Sequence, residues 1–472
     1  GPAVTLNNTN NVFFRNVTID GTTTNHGIEL QGSCSNIEFY ACHIKASTTT
    51  TTSPYSAIYR NGMSGSNSLS DIRIIKNNIS GGYYNIYWYY GGGGSSYMGN
   101  NCIIDSNVFT DAYYGAIYSN NGYTNFNSIS YNNISCRSQN QSSNFYGMYF
   151  SYYNNIDNLI GNKIYIRNNS ISYAYPIYVY YYNNHTNNSY GPILIANNEI
   201  IVEVGNYCEG GININNYSQA EVINNSIYVS ATTRAYGLRL YTSSSSYPIV
   251  AKNNNIFTLN ATNNYPLYIE QMSQMPYITL DYNNYASNGN YVGLVGAGHL
   301  SLASLRSATL QDTHSVAVQP NYIDLNTSLE LLDYSGIVCA RHPAVMTDIN
   351  GLTRKMLTPM GAYTIDIYEG YNITANAIVE PINTSDVFCY QDYASVRLAI
   401  QNTGSYLVDF SALPLSMHIE VTGAISYQYD TVLIIGGVTA TQRDTVTVTD
   451  FLPVSSNGIY NIKVWISLNA DT

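Results

Sequence analysis

Tyr59, Tyr87, Tyr118, Tyr149, Tyr178 and Tyr268 recur about every thirty residues or a multiple of that spacing, and each directly follows an apolar residue. Copies of the same stretch carry Glu29, Asn213 and Arg239 at that place. In a strand the apolar neighbours Ile58, Ile86, Ile117 and Met148 face a core, so the residues after them face out. A row of flat amphipathic rings suits an extended polymer such as a polysaccharide, with ring faces on apolar sugar faces and hydroxyls hydrogen-bonding. The competing reading is that repeated rungs stack tyrosine on tyrosine for stability alone.

Cleavage of such a polymer needs a different set: a base or acid pair beside a charge-stabilising group. Arg239 and Glu270 lie on neighbouring repeats with Tyr241 and Tyr268 beside them, and Glu29 lies near Arg60. Both groups read equally well as surface ion pairs. No repeat gathers two or three carboxylates, so the residues favour a non-catalytic binder. A polysaccharide lyase or glycoside hydrolase is the alternative, and a purely structural fibre segment is another.

No metal or cofactor site is expected. His185, His299, His314, His342 and His418 are isolated, and Asp348-Ile349-Asn350-Gly351 opens like a calcium loop without its later ligands. Seven scattered cysteines, Cys34, Cys42, Cys102, Cys136, Cys208, Cys339 and Cys389, contain no Cys-x-x-Cys pair and fit no zinc module. Most read as small buried hydrophobes.

The tyrosines are positioned by a repeat. Gly27-Ile28-Glu29-Leu30, Ala57-Ile58-Tyr59-Arg60 and Ala116-Ile117-Tyr118-Ser119 belong to a series of nine that ends at Pro266-Leu267-Tyr268-Ile269. Each repeat also holds an alternating run ending in asparagines and one more apolar residue, as in Ile129-Ser130-Tyr131-Asn132-Asn133-Ile134. Two short strands per thirty residues, without helical periodicity, predict a parallel β-solenoid of about ten coils over residues 1–288. Counting back two places from the closing apolar residue yields Asn77, Asn107, Asn132, Asn169, Asn198, Asn225, Asn254 and Asn284, with Cys42 in the earliest aligned coil. Stacked at a bend, these amides would form an interior hydrogen-bonded ladder. Insertions interrupt the coils at the threonine run between Ser47 and Ser53, at Gly91–Gly94 and at Tyr180–Asn184. Such loops project outward.

The repeat stops near residue 289. Asp348-Ile349-Asn350-Gly351-Leu352-Thr353-Arg354 and Gly361-Ala362-Tyr363-Thr364 resemble the closing segment of secreted bacterial right-handed β-helix proteins. That resemblance implies an end cap over residues 289–370. Beyond it, Val396–Gln401, Met417–Val421, Thr445–Val448 and Tyr460–Ile466 alternate between turn residues, which predicts a small immunoglobulin-like β-sandwich over 371–472. This segment resembles the adhesion modules that follow β-helices in large surface proteins exported by the type IX secretion route. The resemblance implies a secreted or cell-surface protein that continues beyond Thr472, and it fixes no activity.

Composition narrows the partners. Of 472 residues, 49 are tyrosine and only 10% are charged, with a net charge of −11 and 18 lysines and arginines in no basic run. Electrostatic capture of nucleic acid or of an anionic bilayer is therefore not expected, and no apolar run is long enough to span a membrane. A polysaccharide or a cell-surface glycan is the expected partner class.

Overall fold

The computed structural model describes residues 1–468 apart from 62–68, 90–98, 153, 181–190, 217, 366, 368–369, 381–392 and 454–457. Gly91–Gly94, Tyr181–Asn184, His185 and Cys389 lie outside the described residues. The chain is all-β, with 58% strand and 3% helix.

Most coils contribute one strand to each of three sheets, and one coil gives the first sheet two short strands, Tyr207–Cys208 and Ile212–Asn215. A representative coil contains Tyr84–Tyr89, Gly99–Asp105 and Val108–Ala112, and the next contains Gly115–Asn120, Thr124–Ser130 and Asn133–Cys136. Strands pair in parallel with the equivalent strand one coil away, and the second and third sheets hold ten strands each. The result is a parallel solenoid of about nine turns. Ile58, Ile86, Ile117, Met148 and Ile177 line up in register from the first sheet and are fully buried. Phe109, Ile134, Ile164, Ile200 and Ile227 do the same from the third. The core is thus a stack of like upon like, and each apolar rung is covered by its neighbours.

The corner between the second and third sheets explains the asparagines. Asn16, Ala41, Lys76, Ser106, Tyr131, Gly161, Asn197, Asn224, Asn253 and Tyr282 all have φ between 53° and 68°. That left-handed conformation turns the chain sharply and is unfavourable for residues with a Cβ. The next residue holds the ladder. Asn132 donates from Nδ2 to Asn162 Oδ1 (3.0 Å) and to the Ile104 carbonyl (2.8 Å), and its own Oδ1 accepts from the Asn107 amide (3.0 Å). The pattern runs through Asn77, Asn107, Asn132, Asn162, Asn198, Asn225, Asn254 and Asn283, and the Cys42 amide donates to Asn77.

Two expected rungs are corrected. Asn169 is exposed, and Asn162 takes its place because the residue that closes that coil is Ile164, not Ile171. Asn284 is replaced by Asn283 because the closing residue is the buried aromatic Tyr285. Asn284 instead donates to Asn255 and to the Val318 carbonyl.

Beyond the last coil, the hairpin Gly293–Val295/Ala297–His299 and the helix Leu302–Thr309 follow, and Leu305 enters the solenoid core. The Asn283 amide donates to Ser315 Oγ, which donates to Asp312, so side chains of this segment take over the ladder's last free acceptor role. The chain then returns along the outside of the coils. Val345 covers Ala196 and Ile223, and the Leu329 amide donates to the buried Glu199. Asn197 and Asn253 of the corner donate to the carbonyls of Thr347 and Ala340. Asp348 accepts from the amides of Asn350, Leu352 and Thr364, and buried Arg354 donates to Asn197 Oδ1 and the Gly361 carbonyl. The calcium-like opening at Asp348 is therefore a turn whose carboxylate is saturated by backbone amides.

A second compact unit, mainly Ile365–Thr472, has its own core. Among the described residues it contains two three-stranded antiparallel sheets, Ile373–Glu380/Tyr393–Asn402/Arg443–Pro453 and Tyr427–Leu433/Leu415–Gly423/Tyr460–Leu468, and the short pair Val408–Asp409/Gly437–Val438. Met417, Ile419 and Val421 point inward while Ser416, His418 and Glu420 alternate outward.

Candidate functional site

The recurrent tyrosines occupy one row of the first sheet. Register places Thr5, Glu29, Tyr59, Tyr87, Tyr118, Tyr149, Tyr178, Asn213, Arg239, Tyr268 and Leu294 one above another. The six tyrosines of this row are half-buried.

Their rings stack along the solenoid axis. Centroids are 5.7 Å apart for Tyr59–Tyr87, 5.9 Å for Tyr87–Tyr118, 4.3 Å for Tyr118–Tyr149 and 5.4 Å for Tyr149–Tyr178, with planes within 16°. At the first end, His26 stacks on Tyr59 at 4.1 Å. The ring faces of Tyr87, Tyr118 and Tyr149 are thus covered by one another, and the exposed part of each phenol is its edge. Stacking of sugars on these faces, as the sequence alone suggested, is not the contact this arrangement offers. Hydroxyl edges are.

A second column lies beside the first. Tyr84 packs on Tyr87 (4.8 Å), Tyr146 on Tyr149 (5.2 Å) and Tyr175 on Tyr178 (5.7 Å), while Tyr114 bridges Tyr84 and Tyr146. Tyr84, Tyr146 and Tyr175 sit three places before the stripe, where simple alternation would point them inward. The strand kinks between the two positions, and the pairing register skips Asn85, Gly147 and Pro176. At Gly147 there is no room for a side chain: a Cβ there would lie 2.4 Å from the Pro176 carbonyl oxygen. Tyrosine recurring at that offset, in Tyr84, Tyr146, Tyr175, Tyr236 and Tyr265, was the available signal.

Burial raises the phenol pKa of Tyr87 to about 12, and those of Tyr84, Tyr118 and Tyr146 further. The face is therefore uncharged at physiological pH. Burial likewise pushes the phenols of Tyr149 and Tyr178 above their ordinary value.

The stripe changes character at Asn213, which is buried and donates to the Glu209 carbonyl. Glu209, itself buried, accepts from Arg239 (2.6 Å) and Arg234 (2.7 Å). Arg239 lies over Tyr268 and Arg234 over Tyr207. Arg239 and Glu270 line one shallow depression of about 120 Å³ with Asn215, Leu240, Tyr241 and Tyr268, but the carboxylate that engages Arg239 is Glu209. Arg60 shares a row with Leu30 and Trp88, points into the coil and donates to the Gly122 carbonyl, whereas Glu29 belongs to the stripe.

Among the described residues, no group of three or more His, Cys, Asp or Glu is placed to hold a metal ion, and no helix is long and apolar enough to cross a membrane. Cys34, Cys42, Cys102, Cys208 and Cys339 are buried and unbridged. Burial lifts the Cys102 and Cys208 thiols to about 12, which leaves them unreactive. Compared with family models, curated proteins and solved structures, the chain matches none of them.

Proposed function

We propose that this protein is a non-catalytic binder, secreted or displayed at a bacterial cell surface, that holds an extended ligand along the tyrosine face of its solenoid. The ligand class is a polysaccharide or another cell-surface glycan. The observation that carries the reading is the continuous row Tyr59–Tyr87–Tyr118–Tyr149–Tyr178, which presents hydroxyl edges at strand spacing on a rigid sheet. The export route and the immunoglobulin-like character of the C-terminal unit belong to the same proposal, resting on the resemblance of its strand pattern to adhesion modules.

The test is affinity electrophoresis through gels cast with different polysaccharides, comparing the wild type with the triple variant Tyr87→Phe, Tyr118→Phe, Tyr149→Phe. Phenylalanine keeps the stacked rings and removes only the hydroxyls, so the fold is preserved. Retardation of the wild type that is largely lost in the variant supports the stripe. Equal retardation of both removes it as the binding face. Release of unsaturated or reducing ends that depends on Arg239 or Glu270 would replace the binder with a lyase or hydrolase.

A further inference from the structure

We propose that the tyrosine face takes the ordered surface of an insoluble, uncharged polysaccharide fibre, and not a single dissolved chain. This deepens the reading above and rests on it.

Three features of the face lead there. The first is its shape. Sites that retain a dissolved oligosaccharide are concave and bury most of the ligand. Here the rings stand edge-out from a sheet, and the depression at the end of the row, beside Arg239, is only about 120 Å³. A flexible chain laid on such a face keeps most of its surface in water and loses conformational entropy on being straightened. Chains already packed in a fibre are straight before contact, so that cost is absent.

The second feature is charge. From Tyr59 through Tyr178 every residue of the row is a phenol, and formal charges begin only at Glu29 on one side and at the Glu209–Arg239 pair on the other. An uncharged hydroxyl comb complements an uncharged polyol surface. An acidic polymer would find no cation within the five phenol rungs.

The third is size and period. Five rungs at about 4.8 Å give a row roughly 19 Å long, and the flanking columns from Tyr84 to Tyr89 make it roughly 15 Å wide. The area, on the order of 300 Å², is well below the roughly 800 Å² per partner of a stable protein complex. One contact is therefore weak. A fibre offers many equivalent positions close together, so retention on it can be high while affinity for a soluble fragment stays low.

The experiment is co-sedimentation of the 472-residue protein with microcrystalline cellulose and with crystalline chitin. The soluble hexasaccharides of both polymers serve as competitors, and polygalacturonate gel serves as the acidic comparison. The expected result is retention on at least one of the two fibres, no release by millimolar hexasaccharide, and at least about tenfold weaker retention of the triple Tyr→Phe variant. Release by hexasaccharide, retention on polygalacturonate alone, or a triple variant that sediments like the wild type would overturn the inference. Binding to soluble or gel polymers without binding to fibres defeats this inference and leaves the broader reading standing. Failure to bind any of these polymers, in solution, gel or fibre, defeats both.

Discussion

Asn162 makes four side-chain hydrogen bonds inside the corner: Oδ1 accepts from the Asn132 amide and from Asn132 Nδ2, and Nδ2 donates to the Ile129 carbonyl and Asn198 Oδ1. The preceding left-handed residue costs roughly 1–2 kcal/mol wherever it carries a Cβ, and the ladder offsets that cost once per coil. Asn162→Ala leaves buried groups of two neighbouring coils unpaired and should destabilise by about 2–3 kcal/mol. Asn169→Ala, at an exposed position, should change stability by less than about 0.5 kcal/mol. Urea denaturation of the two variants decides between the rung read from the sequence and the rung in the structure. Asp312, where the ladder ends, behaves differently. Its Oδ1 accepts from Tyr285 and Ser315, while Oδ2 is buried and accepts nothing from the protein, and burial raises its pKa from 3.8 to about 6. A raised folded-state pKa gives stability that is fully present below about 4 and is lost as pH rises through about 6. Asp312→Asn should therefore flatten the stability profile between pH 4 and 6 and raise stability at pH 7 by roughly 1–3 kcal/mol. An unchanged slope in that window, measured by denaturant midpoints, would show that the carboxyl is not the group responsible.

At the scale of the element, the sequence was legible wherever one period governed it. Ile58, Ile86 and Ile117 could be assigned to the core because a thirty-residue recurrence admits only one stacking register. The misplacements at Asn169 and Asn284 arose where the closing residue was ambiguous: Ile171 competed with Ile164, and Tyr285 is aromatic in a place otherwise held mostly by isoleucine. The second tyrosine column was hidden by a kink that breaks strict alternation, and the stacking of ring faces depends on side-chain rotation that spacing does not encode. The return of residues 317–333, 339–354 and 359–364 along the coils was illegible for another reason. Its contacts are single, non-repeating ones: Val345 on Ala196 and Ile223, Leu329 on Glu199, Arg354 on Asn197. Val345→Asp places a carboxylate in that apolar contact and should cost roughly 3 kcal/mol, most of it spent detaching the returning segment. Limited proteolysis should then cut within 339–354 faster than in the wild type while the coils stay intact; an unaltered cleavage pattern would mean the segment is held independently of this contact.

For the whole solenoid, stability is approximately a sum of coil and interface contributions, because the strands of each coil pair only with those of its neighbours. The first coil, Val4–Asn7, Asn10–Arg15 and Thr18–Gly21, pairs on one side only. Its corner residue is Val17, 40% exposed, where the second coil has Cys42 and coils from the third onward place a ladder asparagine, and Phe13 is 52% exposed. Ile104, Ile129 and Ile164 lie between two neighbours each, beside complete ladder rungs. Opening the first coil breaks one interface and no asparagine rung; opening a central coil breaks two interfaces and two rungs. If the difference is about 3 kcal/mol, amides of the first coil should exchange with solvent about a hundredfold faster than those of Ile104, Ile129 and Ile164 under native conditions. Hydrogen exchange read by mass spectrometry on peptides from residues 4–21 and 101–166 measures this directly. Equal protection in both sets would show that the coils open together as one cooperative block, in which case the nearest-neighbour account of the solenoid fails. A graded profile would mean that the tyrosine rows of coils three to seven rest on the most rigid part of the molecule, which a hydroxyl comb needs if it is to keep its spacing against an ordered ligand.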